Sequence, residues 1–163
     1  MTDNSLILYE EEIKQIDTLI SKMLKAAEAK CGLLVDKDGH LITRQGFTST
    51  LDTTALAALL AGSFASTKEI AKLVGEPEFS VLFHQGKKDH IHMSIVGERS
   101  ILVVIFDDRT TIGMVRLYAK ETAVELTKVF EKVTNDSREK TQISVSNDFA
   151  DGAQDRLDDI FQD

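Results

Sequence analysis

Apolar positions recur along this chain with two periods, 3.6 and 2, and the switches between them mark the elements. From Tyr9, Ile13, Ile16, Ile20, Met23, Leu24 and Ala27 fall on one face of a helix, with Glu10, Glu11 and Glu12 in its first turn, where the helix dipole favours anions. The pattern ends near Ala29 and Lys30. CGLLVDKDGHLITRQG follows and predicts a hairpin: an apolar strand over Cys31–Val35, turn chemistry at Asp36-Lys37-Asp38-Gly39, and a return over Leu41–Arg44 closed by Gly46. After Pro77 three strands are expected. Phe79, Val81 and Phe83 alternate with Ser80, Leu82 and His84, and Ile91, Met93 and Ile95 alternate with His90, His92 and Ser94. ILVVIF at 101–106 is apolar without alternation, so the sheet must be covered on both faces by helical layers. Asp107, Asp108, Thr110 and Thr111 can cap a last helix with Ile112, Val115, Ala119, Thr122, Leu126, Val129, Phe130 and Val133 inside.

Between hairpin and strands lies DTTALAALLAGSFASTKEIAKLVG, residues 52–75. Asp52, Thr53 and Thr54 can cap its start, and Gly75 suits its end. Two stripes run along it at helical spacing. The bulky one, Leu56, Leu59, Leu60, Phe64, Ile70, Leu73 and Val74, is expected to meet the core. The small one, Ala55, Ala58, Gly62 and Ala65 with Ala61 and Ser66 at its edges, would admit a close partner. Gly62 in mid-helix costs about 1 kcal/mol against alanine, which asks for a packing reason.

At Asn135 the period is lost, and 135–152 is expected to be a flexible linker after a domain over 1–134. In the closing segment, 153–163, Leu157, Ile160 and Phe161 stand at i, i+3 and i+4 among acidic residues. That single apolar turn is too short to stand alone and is expected to order on a partner.

Composition narrows the function. A net charge of −8 and a pI near 5.0 argue against nucleic acid or an anionic membrane as the main partner. Cys31, the only cysteine, has no intramolecular disulfide partner and suits a reducing compartment. MTDNS is not a basic signal-peptide start, and no apolar run nears 18 residues, so a cytoplasmic protein is expected.

No catalytic set is evident. P-loop, nucleophile-elbow, HExxH and CxxC motifs are all missing from the sequence. Asp36-Lys37-Asp38-Gly39 lacks the ligand spacing of a calcium loop and is explained by a turn. His84, His90 and His92 could ligate zinc, against the simpler reading of a sheet face that meets a polar layer or solvent. Arg99, Arg109 and Arg116 could supply an arginine finger, Arg109 above all, against the simpler reading of solvated charges or carboxylate partners such as Asp107 and Asp108.

The order αββαβββα, with LVDKDGHLI at 34–42, LDTT and AGSFA within 51–65, AKLVGE at 71–76 and IVGERSILVVIFDDRTTIGMVRL at 95–117, resembles the Roadblock/LC7 family. LYEEE at 8–12 and the DDIFQD end extend the match to a bacterial branch of it. The resemblance implies an α/β (α+β) sandwich: a five-stranded antiparallel sheet between helical layers, the middle helix on one face and the terminal helices on the other. It implies a homodimer joined along the strand at Phe79–Gln85, with the middle helices side by side. It further implies that two subunits bind one Ras-like small GTPase in its GTP state. They would speed GTP hydrolysis by ordering the GTPase's own catalytic residues, in bacterial cell polarity or gliding motility, with the cell pole as a candidate location. The activator itself would supply no catalytic residue, metal or cofactor. By resemblance the contact face comprises Ala58, Ala61, Gly62, Ala65 and Glu69, with Leu157, Ile160 and Phe161 as a second contact. Two alternatives stand beside this reading: a Roadblock scaffold that binds a GTPase or motor complex without activating it, and a metal or small-ligand sensor built on the three histidines.

Overall fold

A computed structural model describes the backbone of Leu8 and of residues 10–161, and the side chains of most of these up to Lys140. Helix α1 (Glu10–Ala27) leads into strands β1 (Cys31–Asp36) and β2 (Leu41–Gly46). Helix α2 (Thr53–Leu73) follows, then β3 (Val81–Gln85), β4 (His90–Val96), β5 (Ser100–Phe106) and α3 (Ile112–Phe161). All strand pairs are antiparallel and form one sheet in the order β2-β1-β5-β4-β3. The element order and the five-stranded sheet are as expected from the sequence.

Local chemistry explains the boundaries. In the β1–β2 turn, Asp36 Oδ1 accepts from the backbone N–H groups of Asp38 and His40, and Gly39 takes φ +93°. A side chain at Gly39 would also strike the backbone of α2, because a Cβ there would lie 3.1 Å from Ala58 Cα. Asp52 caps α2 by accepting from the Ala55 N–H at 3.1 Å. The helix ends on Gly75 at φ +81°, with Glu76 N–H donating to Ala71 O and Gly75 N–H to Lys72 O. That pair of bonds is the Schellman arrangement, which satisfies carbonyls the helix leaves open.

β5 is buried along its whole length, as ILVVIF requires. On one face of the sheet Cys31, Leu33, Val35, Met93, Val103 and Ile105 form a core with Ala57, Leu60, Ala61 and Phe64 of α2. On the other face α1 lies against β1 and β2, with Ile20 and Leu24 beside Gly32. The first part of α3 buries Val115, Ala119, Thr122 and Leu126, and its Arg116 comes within electrostatic reach of His92 on β4.

Two expectations need correction. The stretch 135–152 is helical rather than irregular, since α3 runs without a break to Phe161. It contains no proline and a single glycine, Gly152, so nothing interrupts the i→i−4 bonds even where no apolar stripe is present. The chain nonetheless changes character near this point: Tyr9–Val129 form one compact unit, and residues from Phe130 onward belong to a second. The histidine face of β4 is the other correction. His90, His92 and Ser94 are buried rather than open to solvent, and Arg116 of α3 acts on His92.

A candidate docking surface on the central helix

One turn of α2 advances 3.6 residues, so its faces can be assigned from burial. Ala57, Leu60, Ala61, Phe64 and Ala71 are at most 5% exposed and define the face on the sheet. Of the bulky stripe, only Leu60 and Phe64 lie fully in this core, with Leu56 packed at its margin. Leu59, Ile70, Leu73 and Val74 are exposed by 70%, 51%, 87% and 64%. The expectation that the bulky stripe as a whole anchors the helix is therefore corrected. Alanines at 57, 61 and 71 let the helix sit close to the strands, which turns several large residues outward.

Of the residues expected at a partner face, Ala58, Gly62, Ala65 and Glu69 are exposed. Ala61 is not among them. It is 5% exposed and belongs to the core, because it lies four residues from Ala57 on the sheet side. Glu69 pairs with Lys72 across one turn at 3.0 Å, in solvent. Leu157, Ile160 and Phe161 lie in the last turns of α3, and their side chains fall outside the described residues.

The outward face thus combines a strip of small residues with large apolar ones. Ala55, Leu59, Gly62, Ser66 and Leu73 run along it, Ala58 and Ala65 flank it on the side of the β1–β2 turn, and Ile70 flanks it on the other. A Cβ added at Gly62 would meet nothing within 4 Å. Among the described residues no packing accounts for this glycine. Gly62→Ala is therefore expected to stabilise the isolated chain by about 1 kcal/mol, read as a rise of about 2–4 °C in the melting temperature. A melting temperature that falls would mean that the helix is packed on this side too.

The other candidate groups separate. His84 pairs with Ile91 and so lies on the α2 side of the sheet, whereas His90 and His92 point to the opposite side. The sensor built on all three histidines is thereby dismantled, and among the described residues no three metal-ligating side chains converge. Arg109 donates through Nε to both Asp107 oxygens, at 3.0 and 3.3 Å. The Arg109 side-chain and backbone hydrogen bonds hold the Asp107 carboxyl below its ordinary range, and the same ion pair raises Arg109. That is the carboxylate-partner reading of Arg109. Cys31 is 1% exposed, and burial pushes its thiol up to about 11, so it is a core residue and not a nucleophile.

Sequence reasoning missed Leu59, Ile70, Leu73 and Val74 as surface residues. The available signal was their spread: apolar residues on α2 cover more of the circumference than one sheet face can take. Among the described residues, no helix is long and apolar enough to cross a membrane.

Comparison with known proteins agrees with this geometry. Residues 15–106 match the Roadblock/LC7 domain. MglB of Myxococcus xanthus is similar at 50% identity and a TM-score of 0.74, over 78% of this chain and 96% of that one. An MglB with a tetrameric arrangement is 28% identical with a TM-score of 0.76, over 81% of this chain and 99% of that one. The gliding protein MglB of Thermus thermophilus is 28% identical with a TM-score of 0.74, over 80% of this chain and 99% of its own. The chain belongs to the Roadblock/LC7 domain family and closely resembles MglB.

Proposed function

We propose that this protein is a GTPase-activating regulator that works as a homodimer on the GTP form of a Ras-like small GTPase of the MglA type, in bacterial cell polarity or gliding motility. The observation that carries the reading is the outward face of α2. It exposes Leu59, Ile70 and Leu73 beside small residues and an open Gly62. Contiguous exposed apolar surface on a soluble domain is a mark of an interface. At one edge of the sheet, β3 has no second strand neighbour among the described residues and exposes Val81. A second copy joined along β3 would bring two α2 helices together, with Leu59, Ile70, Leu73 and Val74 at or near the seam. The small residues Ala58, Gly62 and Ala65, with Glu69, would then form a platform for the GTPase.

Such a platform has no chemistry of its own to offer. Its effect would be to hold the switch segments and the catalytic residues of the GTPase in one arrangement, which supplies preorganised electrostatics to the transition state. The segment 135–161 would carry Leu157, Ile160 and Phe161 to a second contact, so removal of 153–163 is expected to weaken binding without abolishing it. Complete loss would make that segment the main site. The reading is tested by light scattering on mixtures with the cognate GTPase. A complex of two subunits and one GTPase is expected with a non-hydrolysable GTP analogue and none with GDP. Equal binding to both states would overturn it.

A further inference from the structure

His92 is 1% exposed and stands on β4 between Phe83 of β3 and Val104 of β5. Neither of its ring nitrogens has a hydrogen-bond partner among the described residues, and neither does the neighbouring Ser94 Oγ. A neutral imidazole always presents one donor and one acceptor. Burying both unmatched costs free energy that an apolar side chain would avoid, so stability alone does not explain a histidine here.

The charges around it are few. On α3, Arg116 acts on His92, and its positive charge adds to burial in holding the ring neutral. On β3 the titratable residue, His84, lies on the opposite face. β5 has no titratable side chain, and α1 packs on β1 and β2. On β4 itself His90 is the nearest titratable group, and its Nε2 is 3.3 Å from Asp108 Oδ1. Among the described residues Arg116 is the charged group that acts on His92, and no carboxylate offsets a proton there. We infer that His92 is a proton-operated latch: neutral, it lets the 112–129 stretch of α3 close over β4, and protonated, it drives that stretch off the sheet.

The sign follows from linkage. With α3 closed, desolvation first and Arg116 second lower the His92 pKa from its ordinary value near 6.5. With α3 open, the ring recovers that value. Above about pH 7.5 neither form binds the proton, and the closed form is undisturbed. As pH falls through about 6.5 the open form gains a proton that the closed form refuses. The opening constant then rises by up to about tenfold per pH unit until the closed form itself titrates.

The test is amide hydrogen exchange on the full chain between about pH 7.5 and 5.5, corrected for intrinsic rates. For residues 115–126 of the wild type, the opening constant is expected to rise several-fold between about pH 6.5 and 5.5. It should stay within about twofold in His92→Phe, and Arg116→Gln, a change at an exposed position, should shrink the rise. Ring 15N shifts of the wild type give an answer that does not depend on any variant folding: the His92 ring should titrate below the ordinary histidine value of about 6.5. A wild type with flat exchange, a His92→Phe variant with the same rise, or a His92 ring that protonates at or above about pH 6.5 would each overturn the latch.

Discussion

Leu60→Ala is expected to remove about 2–5 kcal/mol of stability, while Leu59→Ala, one residue away, leaves the monomer within about 0.5 kcal/mol of wild type. Leu60 is 5% exposed and packs with Phe64, Leu33 and Val103 against the sheet. Its truncation leaves a cavity that the strands, held by backbone bonds on both sides, cannot close. Leu59 is 70% exposed, so truncation removes little from the folded monomer. Its effect should fall on self-association. Leu59 lies on the face proposed to meet a second copy, and a residue near a two-fold axis is counted twice. Urea midpoints at low protein concentration and sedimentation at high concentration separate the two effects. Equal destabilisation by both changes would mean that α2 meets the sheet with a different face.

Ala65→Arg is expected to abolish partner binding without disturbing the fold. The position is exposed and arginine is a good helix former, so the melting temperature should stay close to that of the wild type. A long charged side chain would stand in the strip where the GTPase is proposed to approach the backbone of α2. The same change at Ala61 supplies the contrast. Ala61 is 5% exposed, and a guanidinium forced among Leu60, Phe64 and the strands would have no partner, so Ala61→Arg should fail to fold. Circular dichroism and binding to the GTP-loaded GTPase distinguish the outcomes. An Ala65→Arg variant that folds and still binds would move the docking face elsewhere.

Much of the frame was legible because it is set locally. Asp52 and Gly75 announce the ends of α2, Asp36-Lys37-Asp38-Gly39 announces the hairpin, and ILVVIF announces a strand buried on both sides. The faces of α2 were not legible from period alone. Apolar residues surround most of that helix, and the choice between Ala57, Ala61 and Ala71 or Leu59, Ile70 and Leu73 as the buried set depends on how closely the backbone approaches the sheet. The burial of His90 and His92 escaped for a similar reason. Alternation shows that they share a face, but not that the face is buried. The helix over 135–152 was not legible because no sustained apolar period marks it, and backbone hydrogen bonds between good helix formers such as Arg138, Glu139 and Lys140 do not require one.

The central claim is that this chain accelerates hydrolysis by a small GTPase without a catalytic residue of its own. Single-turnover GTP hydrolysis by the cognate GTPase, titrated with this protein, measures it directly. The rate is expected to rise with added protein, to level at two subunits per GTPase, and to lose this acceleration with Ala65→Arg. An unchanged hydrolysis rate at saturating protein, with binding intact, would contradict the claim and leave a scaffold in its place.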